Sequence, residues 1–462
     1  MSLQIKNTPA ERIAELTARQ REFFASGATR STEFRRTMLR RLLAALEQWE
    51  EPLTEALWKD LRKSREESYM TELGILHGEI RLHLRNVGRW SRVRRQPTPL
   101  KLWPSSSRTL FEPLGTALII APWNYPVQLL VNPLIGAISA GCTAILKPSP
   151  YTPNVSSVLT DLFIKNFQEE YIAVTEGDRT VNTALLQQRF DIIFFTGSPA
   201  LGRVVMRAAA ENLTPVVLEL GGKSPCIVDE DADIAIAARR IAWGKSLNAG
   251  QTCIAPDYVL VHRSVEEEFC KRFACEVKRL LGNDPREAPH YVRMVNDRAF
   301  DRVTGYLAEG EVVSGGRSDR ETRFIEPSLL RSPADGAKVM QEEIFGPVLP
   351  VLAFDRMDEA VEFVNRREKP LALYFFGSRK RGMEVIARTS SGGACINDTI
   401  MHVVNENIPF GGVGNSGMGS YHGRRTFEAF SHERSVLVTP TKIDLPFRYA
   451  PYRFFKMVKK FF

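Results

Sequence analysis

Residues 115–146, GTALIIAPWNYPVQLLVNPLIGAISAGCTAIL, form a run without a single charge, and its reading decides the fold. The run is long enough to cross a bilayer. Pro122, Asn124, Pro126, Gln128, Asn132 and Pro133 interrupt it, however, which marks it as buried core rather than a membrane span. Its ends, residues 117–121 and 143–146, are short apolar runs of the kind that become strands covered on both faces. A helical stretch lies between them, and Gly141 stands where that helix should end.

Reading outward, residues 171–174 and 192–195 repeat the pattern, again with helical segments between. Continuous apolar strands alternating with helices predict a parallel sheet, which binds ligands beyond the carboxyl ends of its strands. A second α/β series is expected from about residue 215, with strands at 216–220, 258–261 and 348–351 and helices at 233–247 and 265–281. The boundary between the two series is expected near 210–215. On the amino-terminal side, Phe34, Met38, Leu42, Leu46 and Trp49 recur at helical spacing behind a cap at Ser31 or Thr32. Pro52 should end or kink that helix, or open the next one, which carries Leu53 and Leu57. Residues 69–90 predict a further helix, after which Pro97, Pro99 and Pro104 break the pattern.

Composition narrows the class. A chain of 462 residues with 44% hydrophobic and 25% charged residues is a globular protein too long for one core. The amino end lacks the layout of a signal peptide. The six cysteines form no CxxC or paired framework, which favours a reducing, cytoplasmic setting. The seven histidines show no metal-ligand spacing, so no metal is expected. The net charge of +8 comes from bases interleaved with acids on helices, a pattern of solvated faces; no nucleic-acid partner is expected.

The chemistry centres on Asn248-Ala249-Gly250-Gln251-Thr252-Cys253. A thiol is the most nucleophilic side chain near neutral pH, although a cysteine taken alone is more often a buried structural residue. Cys142, Cys226, Cys270, Cys275 and Cys395 are read that way. Cys253 differs in its company. Glu219 lies in Leu218-Glu219-Leu220-Gly221-Gly222-Lys223-Ser224-Pro225, within an apolar strand run where an unpaired carboxylate is costly. Desolvation would raise its pKa into the range of a general base, whereas a Glu at a strand end more often faces solvent.

This pair, with the cysteine 34 positions after Glu219 (219 to 253), resembles the active-site signatures of the aldehyde dehydrogenases. Further matches stand in family order: Ala121-Pro122-Trp123-Asn124-Tyr125-Pro126, Leu146-Lys147-Pro148-Ser149, Phe195-Thr196-Gly197-Ser198, Glu342-Glu343-Ile344-Phe345-Gly346-Pro347 and Pro409-Phe410-Gly411-Gly412. Together they cover nearly the whole chain. The stretch from Pro409 to Gly423 is most similar to the class 3 branch.

The resemblance implies an α/β fold with a Rossmann-type cofactor domain (1–90 and 106–213), a catalytic α/β domain (214–425) and a small β oligomerisation arm (91–105 and 426–445), and a basic aromatic tail (446–462) follows. It implies NAD(P)-dependent oxidation of aldehydes to acids by a homodimer. Cys253 would be the nucleophile, Glu219 the base for water and Asn124 the oxyanion donor. Lys147, Gly197, Ser198, Gly202, Glu343 and Phe345 would hold NAD or NADP. Gly197 to Gly202 follows a strand and opens a helix, whose N–H groups receive a phosphate. Pro150 stands where the family often carries an acid for the ribose 2′-hydroxyl, which removes one repulsion against a 2′-phosphate. Alone, each of these has a plainer reading: a turn for Asn124, a surface lysine for Lys147, core packing for Phe345. An acyl-transferring, aldehyde-forming reductase is the alternative, and the presence of Glu219 favours water as acceptor. Tyr125, Trp243, Leu247 and Ile400 are expected to line a pocket for medium-chain aliphatic or aromatic aldehydes.

The tail is read from its residues alone. On a helix, Phe454, Phe455, Val458, Phe461 and Phe462 fall on one face and Arg453, Lys456, Lys459 and Lys460 on the other. That layout suits peripheral contact with the inner face of a membrane, or docking on the protein itself.

Overall fold

The computed structural model of the chain describes residues 6–460, the side chains of Met457 and Val458 excepted. The apolar runs become a six-stranded sheet in the order Gly417–Met418, Val216–Leu220, Ile192–Gly197, Thr116–Ile120, Thr143–Lys147, Ile172–Val174. All neighbours are parallel except Gly417–Met418, which runs antiparallel to Val216–Leu220. Successive strand residues point to opposite faces, and both faces are covered. Leu118, Ile120, Ile193, Phe195 and Leu218 share a core with Ile13, Leu16, Val181, Leu185 and Val205 of the helices on one side. Ala117, Ile119, Ile192 and Phe194 belong to the core on the other side, with Leu130, Leu134 and Leu159. Gly141, at φ 97°, ends the helix Gln128–Ala140. Pro133 sits inside that helix at a cost of about 3 kcal/mol. Burial of two or three neighbours such as Leu130 and Leu134, at about 1.5–3 kcal/mol each, offsets it.

A seven-stranded sheet follows, ordered Glu311–Ser314, Ser328–Arg331, Val348–Phe354, Tyr258–His262, Pro225–Val228, Ala372–Phe376, Gly393–Ile396. It is parallel apart from its first strand. The helices Ile234–Ser246 and Glu266–Leu281 pack on it, the first capped by Asp233, whose Oδ1 accepts from the Ile236 N–H at 3.0 Å. At the amino end, Ser31 caps the helix Thr32–Gln48 and Pro52 sits in the first turn of the next helix, Glu50–Leu61. The helix expected over 69–90 opens with a wide turn, Tyr69–Leu73, before Gly74–Trp90.

Four expectations change. Val216–Leu220 belongs to the first sheet, so the chain passes between sheets after Leu220 and not near 210–215. Its apolar run says that it is buried but not which strand it pairs with. Residues 106–113 join the arm, a three-stranded antiparallel sheet of Arg94–Gln96, Ser106–Pro113 and Ser431–Val438. Not every remaining cysteine is buried: Cys275 is exposed and Cys395 half-buried. In the tail only two short turns are helical among the described residues, a 3-10 turn at Pro446–Arg448 and a single α turn at Phe455–Val458, so the two-faced helix does not extend over the described residues. Phe461 and Phe462 lie outside the described residues. Among the described residues no helix is long and apolar enough to cross a membrane.

Candidate active site

The helix Ile234–Ser246 delivers its chain to a sharply turned loop. Asn248, Ala249 and Gly250 are all left-handed, at φ 50°, 52° and 70°. For the two non-glycine residues this costs on the order of 1–3 kcal/mol each, so the surroundings must impose it. Gln251 does much of this: its Nε2 donates to Asn248 O at 3.0 Å and Arg293 O at 3.1 Å, and its Oε1 accepts from the Val295 N–H at 3.0 Å. Gly250 is required, because a Cβ there would lie 2.4 Å from Gly346 O. The loop leaves Cys253 half-buried at its end.

Asn124 meets this loop directly. Its Nδ2 donates to Gln251 O at 3.0 Å, and its own carbonyl accepts from Asn248 Nδ2 at 2.9 Å. One amide hydrogen is thereby spent on orienting the group, and the other remains to donate elsewhere. The neighbouring Tyr125 hydroxyl is 2.6 Å from Thr252 Oγ1.

Glu219, opposite Thr196 and Gly417 in the first sheet, is almost fully buried. Neither of its oxygens has a hydrogen bond of ordinary geometry among the described residues. Burial pushes its carboxyl up to about 8; the Glu343 carboxylate adds to the shift and the Cys253 thiol opposes it. The Cys253 thiol is itself pushed up, first by burial and then by Glu219 and Glu343. Thiol, two carboxyls and the Asn124 amide thus share one poorly solvated place.

Glu343 rests on the bare backbone of Gly221, where a Cβ would stand 2.1 Å from its Oε2. Its Oε1 has no partner, and burial, then Asp257, lift its carboxyl to about 8. Its loop is held from outside. Lys223 Nζ pairs with Asp257 and donates to Val339 O at 2.7 Å and Glu342 O at 2.8 Å. Arg302 donates to Glu343 O at 3.1 Å and Ile344 O at 2.9 Å. Phe345, at φ 48°, stands edge-on to Trp123 with ring centroids 5.3 Å apart.

Lys147 ends its strand opposite Ile120, buried rather than at the surface, and its Nζ donates to Pro148 O at 2.8 Å. Burial lowers its pKa to about 8 against the pull of Glu176 and Asp178. Ser198 caps the helix Pro199–Ala210, its Oγ accepting from the Leu201 N–H at 3.4 Å, and no acid sits in that first turn. Gly202 faces Leu220, whose Cδ2 a Cβ would approach to 2.8 Å, so its smallness brings helix and strand together. A buried cation with one carbonyl partner, an acid-free helix start and the orphaned Thr196 Oγ1 and Glu343 Oε1 are the features of a site that fits a dinucleotide.

The expected aldehyde pocket divides. Trp243 and Leu247 line a cavity of about 640 Å³ with Trp58, Met70, Leu280 and Tyr291, which neither Cys253 nor Tyr125 borders. The sequence reading missed Lys63 and Glu72. They form a wholly buried ion pair at 2.6 Å (both 0% exposed), and Lys63 Nζ also donates to Asn124 O at 3.2 Å. Glu72 Oε2 accepts the Val127 and Gln128 N–H groups at 2.8 and 3.2 Å. Their only signal is a charged stretch that reads as a solvated helix face.

Comparison with known proteins supplies the lineage. The aldehyde dehydrogenase family profile matches residues 2–436. The chain is 45% identical over 444 residues to the 4,4'-diaponeurosporen-aldehyde dehydrogenase of Staphylococcus aureus, covering 95% of this chain and 97% of that one. It is 42% identical to "aldehyde dehydrogenase, dimeric NADP-preferring" of Canis lupus familiaris, covering 95% and 98%. A solved structure of S. aureus AldH in its substrate-bound state superposes with a TM-score of 0.96 at 44% identity, covering 97% and 99%. The chain therefore belongs to the aldehyde dehydrogenase family, most like its class 3 members, and is an NAD(P)-dependent aldehyde dehydrogenase.

Proposed function

We propose that the enzyme oxidises apolar aldehydes to carboxylic acids through a thioester on Cys253, which Glu219-activated water hydrolyses. The observation that carries this reading is the half-buried Cys253 thiol beside the buried Glu219 carboxyl, which burial pushes up to about 8. Cys253 adds to the aldehyde carbon, its proton passing to Glu219. The free Asn124 amide hydrogen and the Cys253 backbone N–H donate to the oxygen that becomes negative. A bound nicotinamide supplies the hydride acceptor for the oxidation. Glu219 gives that proton up to solvent, then takes one from water as the water oxygen attacks the thioester; the Cys253 thiolate leaves and recovers a proton from Glu219.

Lys147 and the helix start at Ser198 would receive the ribose and phosphates, Glu343 the second ribose, and Phe345 the nicotinamide side. Gly197 lets the backbone approach the cofactor, and Gly202 acts by letting the helix close on its strand. The apolar Trp243 and Leu247, with Trp58, Met70 and Tyr291 on the same cavity wall, favour medium-chain aliphatic or aromatic aldehydes. The exposed Phe454 and Phe455, beside Arg453 and Lys456, suit weak contact with an anionic membrane. The full chain should then co-sediment with anionic vesicles at low salt more than one cut after Tyr452; equal binding would remove the tail from that role.

The test of the reaction is Cys253→Ala. Turnover should fall by at least ~1,000-fold while cofactor affinity and melting temperature hold. Activity within tenfold of the parent would refute the role of the thiol. Added coenzyme A should leave the rate unchanged, since water is the acceptor.

A further inference from the structure

The stretch Arg62-Lys63-Ser64-Arg65-Glu66-Glu67 runs into the short helix Arg65–Ser68, far in sequence from the nucleophile. Glu67 is nonetheless buried, 8% exposed, and its Oε1 accepts from the Asn248 N–H at 2.9 Å. Asn248 opens the left-handed run that sets Gln251, Thr252 and Cys253. Its side chain is committed to Asn124 O at 2.9 Å and to Gln251 O at 3.1 Å. Asn248 is therefore bonded through its side chain to the segment carrying Asn124, and through its backbone to Glu67. An apolar residue at position 67 would leave that buried N–H without its acceptor.

Lys63 and Glu72 act on the Glu67 charge from neighbouring positions, and Arg65, Glu66 and His290 share its cavity wall. Burial holds the carboxyl at about 7, against Lys63 and the Asn248 N–H, so both of its charge states are within reach near neutrality.

We propose that Glu67 is a positioning residue for the nucleophile: through the Asn248 N–H it fixes the turn that holds Cys253 against Asn124, without touching the reactants. The proposal rests on the reading of Cys253 as nucleophile. Reaction at Cys253 needs its thiol and backbone N–H placed together with the Asn124 amide, and displacements of about 1 Å in such an arrangement cost orders of magnitude in rate. The bond from Glu67 comes from the short helix Arg65–Ser68, whereas Gln251 bonds to Arg293 and Val295, so the loop is held from two separate segments.

The experiment compares Glu67→Leu and Glu67→Gln in the full chain. It reads the rapid-mixing burst of reduced cofactor, the alkylation rate of Cys253 by iodoacetamide, and the cofactor Kd. Glu67→Leu should slow the burst ~10–100-fold and alter alkylation, with the cofactor Kd unchanged. Glu67→Gln keeps an acceptor and should recover the burst to within about threefold of the parent. Should Glu67→Leu not fold, Glu67→Ser, too short to reach Asn248, takes its place under the same expectation. A burst in Glu67→Leu within about threefold of the parent, or equal losses in the Gln and Leu variants, would overturn the proposal. A burst that survives in Cys253→Ala is a separate failure, of the nucleophile reading itself.

Discussion

In the proposed reaction Glu219 owes its role as base to burial and not to pairing. Its carboxyl is held at about 8, and only the ionised form can take a proton from water. Below that pH the ionised fraction falls about tenfold per unit, so a kcat limited by thioester hydrolysis should rise with pH up to about 8 and then level. In Glu219→Gln the rise should disappear. A profile flat from about pH 6 to 8 in the parent enzyme would contradict the assignment. At this scale the sequence is uneven. Cys253 and Glu219 stand out in the sequence by their company, each in a glycine-bearing motif that resembles the family's, and the structure gives those glycines close contacts: Gly250 against Gly346 O, Gly221 beneath Glu343. Lys63, Glu67 and Glu72 are not legible. A charged run such as residues 62–67, or a lone Glu72 on a helical stretch, usually faces water, and nothing local reveals that these three turn inward to meet Asn124, Asn248 and Val127.

Among the elements, the nucleophile loop carries the strongest conformational demand. Gly250→Ala introduces a Cβ at φ 70° into contact with a carbonyl. It should destabilise the protein by more than ~1 kcal/mol in urea unfolding and remove most activity. Unchanged stability would show that the loop relaxes freely. The strands at 117–121, 143–146, 171–174 and 192–195 are readable because a strand covered on both faces is apolar throughout, and they appear within a residue or two of their expected bounds. Val216–Leu220 shows the limit. Periodicity reports burial, while sheet membership depends on a pairing with Ile192–Gly197 that the run itself does not encode. The tail fails for a different reason: amphipathic spacing describes what a helix would look like, and one turn is too short to sustain it.

At the scale of the molecule, the two sheets bring Cys253, Glu219, Asn124 and Glu343 together from four distant parts of the chain, and the arm joins the main core through Phe111. Its edge strand Ser431–Val438 pairs on one side only among the described residues and exposes Leu437 (52%) and Val438, while Leu100 and Trp103 are exposed nearby in sequence to Ser106–Pro113. An open, partly apolar edge suits pairing with a second copy, and the canine relative is named dimeric. Light scattering in dilute solution should report a dimer; a monomer or a tetramer would contradict this use of the arm. The central claim, a thioester on Cys253 released by Glu219, is tested most directly by intact-protein mass spectrometry of Glu219→Gln quenched shortly after mixing with aldehyde and oxidised cofactor. The acyl group should replace the thiol hydrogen, the adduct should map to Cys253, and it should be absent from Glu219→Gln carrying Cys253→Ala. Steady turnover of Glu219→Gln at the parent rate with no acyl adduct would contradict it.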